Sequence, residues 1–266
     1  MRVFFRKNGL AAFWAPVLAV LVLFVAGPAS ADERGDADAE IEFMASAYGV
    51  RVHYGYSYDG FFPKAWRDKP GYVHGRQASL KQVLNALPVI QEFLAAYPSE
   101  IISGSLTDVF LLGRLEMMGH PIGGTYGPSW LYVMVSPHLS EKTVLSTLHH
   151  EFSSILMRKH PFPVKEWEQA NEPGWKYAGG SRNMIEEIVS QGEDHQPLSA
   201  DLFGRGFLTS YGQSCVEDDF NVYASWLFTR RQELNSLAEQ YSRIRKKRDL
   251  CIRFYQSLSP EFDFDI

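Results

Sequence analysis

The sequence has little of what marks an unusual chain. It holds no low-complexity segment and no internal repeat, which sets aside repeat arrays and disordered tracts. Only two cysteines occur, Cys215 and Cys251, and none lies where a lipid-anchoring cysteine would follow an export cleavage site. Basic charge is not in excess: 26 Lys and Arg face 31 Asp and Glu, for a formal net charge of −5. A surface of that sign is unsuited to nucleic acid, whose phosphates need a basic face. The longest apolar run, Leu10 to Ala26, is broken by Pro16 and falls short of the roughly 20 residues a membrane-spanning helix needs.

That run has a second reading. Arg2, Arg6 and Lys7 precede it, with no acid among them. Gly27-Pro28-Ala29-Ser30-Ala31 follows it, and then Asp32. A basic start, an apolar core and a small-x-small ending describe a secretory signal peptide over residues 1–31, with cleavage expected after Ala31; a membrane anchor is the alternative. Residues 32–266 are then one exported domain, periplasmic or secreted, with no stable membrane insertion. In an oxidising compartment Cys215 and Cys251 are expected to form a disulfide, the alternative being two buried thiols.

What the chain does have is core-forming material, with 18 Phe, 13 Tyr and 6 Trp. Residues 32–40 read as a frayed end, and Ile41 to Tyr48 as a short helix. Val50 to Tyr54 alternates like a strand, and 55–78 reads as loop. Leu80 to about Tyr97 is a helix by its apolar spacing. Asp108 to Met117 and Leu131 to Ser136 are strands separated by a turn-rich piece. A helix is predicted from Ser140, a natural N-cap, to Lys159, stopped by Pro161 and Pro163. Further helices are expected near 183–190, over Val216 to Phe228, and from Gln232 to Ser257. Within the last, the basic stretch Arg243, Arg245, Lys246, Lys247 and Arg248 reads as a solvated face. The class is α+β: a small, mostly antiparallel sheet packed on one helix, followed by a helical C-terminal half.

The chemically informative stretch is Thr147-Leu148-His149-His150-Glu151-Phe152-Ser153-Ser154. At helical spacing Val144, Leu145, Leu148, Phe152, Ile155 and Leu156 share one face, and His150 points nearly opposite, flanked by His149 and Glu151. A His followed by Glu on an open helix face is half of the His-Glu-x-x-His zinc motif. There, imidazoles at i and i+4 hold Zn²⁺ while the Glu takes a proton from a metal-bound water. Here the i+4 position is Ser154.

With a strand before it and an acidic helix after it, this helix resembles those of the gluzincin zinc metallopeptidases. The closer resemblance is to the zinc-binding metallopeptidases of bacterial cell envelopes and the lethal-factor-like group. The second matching stretch is Ser210-Tyr211-Gly212-Gln213-Ser214-Cys215-Val216-Glu217-Asp218-Asp219-Phe220-Asn221. The resemblance implies His150 as first zinc ligand, Glu151 as general base and Tyr211 as oxyanion stabiliser. It places a further ligand on Asp218, with Glu217 one residue away. Gly123-Gly124-Thr125 and Leu131-Tyr132-Val133 would be the loop and edge strand that take up extended peptide. The implied activity is zinc-dependent hydrolysis of a peptide or protein substrate. Ser154 leaves open a peptidase-like fold that binds peptide, protein or glycan without cleaving it, and His195 is a candidate replacement ligand. An unrelated envelope protein is the third reading.

Overall fold

The computed structural model describes residues 31–179 and 199–264. His195, the helix expected near 183–190 and all but the last residue of the signal segment lie outside the described residues. No described helix is long and apolar enough to cross a membrane.

Among the described residues the sheet has six strands: β1 (Arg51–His53), β2 (Val73–Gln77), β3 (Asp108–Met117), β4 (His120–Pro121), β5 (Gly124–Tyr126) and β6 (Trp130–Met134). Along its main path the order is β1-β3-β6-β5, with β2 and β4 paired to the far half of β3. The central β3 runs parallel to β1 and β6, while the β2, β4 and β5 pairings are antiparallel. The α+β class is as expected from the sequence.

The main core lies on one face of this sheet, beneath α1 (Ala31–Tyr48), α4 (Leu80–Ala95) and α6 (Glu141–Lys159). Residues 32–40 are helical rather than frayed, because α1 buries Ala37 and Met44 completely. In α4, Ser79 caps Gln82 N while the Gln82 side chain returns to Ser79 N, a reciprocal capping box. Gln82 Nε2 also reaches Val135 O at 2.7 Å, fixing the helix start against the end of β6. α6 begins as predicted, with Ser140 Oγ accepting from Thr143 N at 3.0 Å.

The segment 55–78, expected as loop, holds two one-turn helices, α2 (Tyr58–Phe61) and α3 (Lys64–Arg67), besides β2. Its aromatics cover the other face of the sheet. Phe61 and Phe62 pack with Val73, Leu112, Leu115 and Tyr132, and Tyr132 donates to Phe61 O at 2.6 Å.

α5 (Ser99–Ser105) leads into β3, and the C-terminal half contains α7 (Val164–Gln169), α8 (Ala200–Arg205), a 3₁₀ turn (Tyr211–Gln213), α9 (Val216–Thr229), α10 (Arg231–Gln240) and α11 (Ser242–Leu258). The single last helix expected from Gln232 is two helices, broken where Tyr241 is extended at φ −120 and ψ 110. Tyr241 packs against Phe203, with ring centroids 5.6 Å apart. Arg245 donates to Ala238 O at 2.9 Å and Glu239 O at 3.0 Å, satisfying carbonyls that the break strands.

Two further expectations are corrected. Cys215 and Cys251 are free thiols, not a disulfide. Cys251 is fully buried on α11, whereas Cys215 is the N-cap of α9, its sulfur accepting from Asp218 N at 3.4 Å. The basic stretch is not wholly solvated, since Lys247 is fully buried and Arg248 nearly so.

Candidate functional site

α6 buries Val144, Leu148, Phe152, Ile155 and Leu156 as its pattern requires. It also buries His149, which does not flank an open face. The His149 ring stacks on Phe228 with centroids 4.4 Å apart, and its Nδ1 lies 2.7 Å from the Tyr97 hydroxyl. Burial pushes its pKa down to about 3, so it is a neutral core histidine.

His150 turns the other way, towards the second matching stretch. Its ring centroid is 5.6 Å from that of Tyr211. Burial lowers its pKa, while the nearby carboxylates of Asp218 and Glu217 act in the opposite direction. Asp218, in the first turn of α9, is almost fully buried and accepts from Tyr211 Oη at 3.0 Å and from Ser214 Oγ. The four residues His150, Tyr211, Glu217 and Asp218 therefore meet between α6 and the start of α9.

Glu151 lies under β5. A Cβ on Gly124 would stand 3.0 Å from Glu151 Cγ and 2.6 Å from Thr147 Cγ2. Only glycine lets the strand lie this close to the helix. The edge strand expected at Leu131-Tyr132-Val133 is interior, since β6 pairs with both β3 and β5, and among the described residues β5 is the terminal strand of its sheet path. Its ladder sets which groups face outward. Gly127 N bonds Trp130 O and Met134 N bonds Gly123 O, so the residues between alternate, and Gly124 and Tyr126 direct their N–H and C=O away from β6.

Three residues central to this cleft were not singled out from the sequence. Asn221, one turn beyond Asp218 on α9, donates from Nδ2 to Ser154 Oγ at 2.6 Å, and its Oδ1 accepts from Ser153 Oγ at 2.6 Å. Tyr126, on β5, donates to Glu217 Oε1. Arg158 pairs with Glu217 Oε2 at 3.2 Å and sits 5.0 Å from the centre of the Tyr126 ring. Burial, followed by the Glu217 carboxylate, raises the Tyr126 pKa, which keeps the phenol a donor. The signal was helical spacing: His150, Ser154 and Arg158 fall at i, i+4 and i+8 of one helix, and Glu217 and Asn221 at i and i+4 of another.

This donor set does not fit zinc. Catalytic zinc takes three protein ligands drawn from His, Cys and carboxylate. Among the described residues no group of three such side chains could hold a metal ion. The position of a second imidazole is taken by the Ser154 hydroxyl, which is hydrogen-bonded to a neutral amide. Both nearby carboxylates already accept from protein donors, Glu217 from Tyr126 and Arg158, and Asp218 from Tyr211 and Ser214.

Known proteins resemble this chain in part of its sequence and in its fold. Residues 134–264, which carry α6, Tyr211 and α9, match the family described as putative zinc-binding metallo-peptidase. No curated protein matches the chain. A crystal structure of a putative zinc-binding metallo-peptidase from Bacteroides caccae ATCC 43185 superposes with a TM-score of 0.60 at 17% identity. The match covers 89% of this chain and 90% of that one. At such identity the likeness is one of fold.

Proposed function

We propose that this chain is a metallopeptidase-like protein of the cell envelope whose cleft binds extended polypeptide along β5. The carrying observation is the placement of Gly124. Its bare backbone lets a terminal strand run against α6 at Glu151, with outward N–H and C=O groups at Gly124 and Tyr126. A polypeptide added as a further antiparallel strand would take its main-chain hydrogen bonds from those two residues and lie beside His150 and Tyr211. The basic and apolar start of the sequence, ending in Ala29-Ser30-Ala31, supports export to the envelope.

Hydrolysis is the second reading. It is favoured by His150 and Glu151 standing in sequence opposite Tyr211 and Asp218, and by the match over residues 134–264. Zinc would supply an acidified water in such a site. The described donors do not fit that metal.

The test is binding of a pool of unstructured peptides to the protein expressed from the full chain, read by amide hydrogen exchange. Bound peptide should slow exchange at Gly124 and Tyr126 more than elsewhere. Failure of every peptide to bind, or binding that leaves both amides unchanged, would sink the reading. Release of cleaved products would establish the second reading instead.

A further inference from the structure

The resemblance to zinc metallopeptidases implies a metal that would tie α6 to α9. Here the same gap is spanned by side chains alone. From α9, Asn221 engages Ser153 and Ser154 of α6 at 2.6 Å each, and all three residues are buried. One turn earlier on α9, Glu217 accepts from Tyr126 of β5 and from Arg158 of α6. Arg158 in turn lies against the Tyr126 ring. Glu217 and Asn221 stand one turn apart on α9, so the two groups close the same gap side by side.

We infer that this network of Tyr126, Ser153, Ser154, Arg158, Glu217 and Asn221 is a metal-independent clasp joining β5, α6 and α9. The donor chemistry supports this. Ser154 and Asn221 are neutral, and neither belongs to the usual zinc ligands. Yet Ser154 meets the Asn221 donor and Ser153 its acceptor in a place closed to water, where an unmade bond costs more than a made one contributes. Charge is handled in the same way: the Glu217 carboxylate is neutralised by Arg158 rather than by a cation from solution. The inference concerns how the cleft is held together and stands whatever the cleft binds.

The experiment uses protein expressed from the full chain, equilibrated with zinc and then freed of excess. Metal content is measured by elemental analysis, and thermal midpoints are recorded with added zinc and with a chelator. Wild type should retain no stoichiometric zinc, and its midpoint should be unmoved by either addition. Asn221→Ala and Tyr126→Phe should each lower the midpoint by about 2–4 °C or more, the effect of losing a buried hydrogen bond in a domain of this size. Zinc should restore neither. If Asn221→Ala does not fold, Tyr126→Phe, which keeps the ring, carries the test. About one zinc per chain, with a midpoint lowered by chelation, would overturn the clasp, as would a Tyr126→Phe variant that melts with wild type.

Discussion

Lys247 Nζ lies 2.6 Å from Asp219 Oδ2, and neither side chain is open to solvent. The pair joins α11 to the first turn of α9, next to Asp218. The same carboxylate oxygen accepts from Trp167 Nε1 at 2.8 Å and Tyr177 Oη at 2.7 Å, and Lys247 also donates to Gly206 O at 2.9 Å. Burial raises the Asp219 pKa and lowers that of Lys247, and their attraction offsets part of both effects. Phe207 lies 4.1 Å from the lysine nitrogen. This is how a residue from a basic run comes to lie in the core.

Lys247→Met should therefore destabilise the protein by about 3–5 kcal/mol, because it strands a buried carboxylate. Adding Asp219→Leu should recover part of the loss, since removing both charges also removes the desolvation cost. Urea unfolding of the single and double variants measures both. A single variant as stable as wild type would show that the pair contributes nothing.

Ser154→His exchanges the clasp's hydroxyl for a second imidazole, one helical turn from His150 and facing α9. The variant should gain zinc that wild type lacks, with Asp218 or Glu217 as the remaining donor. Titration calorimetry with zinc measures the gain. No gain would mean that His150 and the carboxylates do not converge closely enough to share an ion.

The other end of the sheet predicts an acid dependence. Asp108 accepts from Arg51 Nε at 2.8 Å, from Arg51 Nη2 at 2.9 Å and from His53 Nε2 at 2.7 Å. Burial alone would raise its carboxyl, but the hydrogen bonds from Arg51, His53 and Thr107 outweigh it and hold the pKa at about 2, below the ordinary 3.8. The folded pKa is depressed, so the stabilisation is present above 3.8 and is lost as pH falls towards 2. Asp108→Asn should cost about 1 kcal/mol at neutral pH, reduced from the full linkage value because Arg51 is exposed. The difference from wild type should shrink steadily between pH 4 and pH 2, as read from denaturant midpoints. A difference undiminished at pH 2 would assign the effect to packing.

Much of the fold was legible because it rests on local rules. Ser140, Pro161 and the spacing of Leu148, Phe152 and Ile155 fix α6, and the meeting of His150 with Tyr211 and Asp218 follows from the second matching stretch. What escaped depends on distant partners. His149 sits at a helical angle that suggests exposure, and only Phe228 and Tyr97, far along the chain, bury it. Lys247 reads as solvated until Asp219 is placed beside it. Tyr241 interrupts a helical pattern because Phe203 receives its ring and Arg245 caps the carbonyls it frees. Asn221 carries no motif, and its role exists only once Ser153 and Ser154 face it. The expected disulfide rested on compartment alone, and the placement of Cys215 and Cys251 sets it aside.

The brevity of β5 has a bearing on self-association. A sheet margin that welcomes an extended ligand is also a template on which identical chains can stack. Gly124 to Tyr126 present only two residues' worth of outward main-chain groups, and Tyr126 is tethered through its side chain to Glu217. A margin so short offers a neighbouring copy too few bonds to nucleate a growing ribbon.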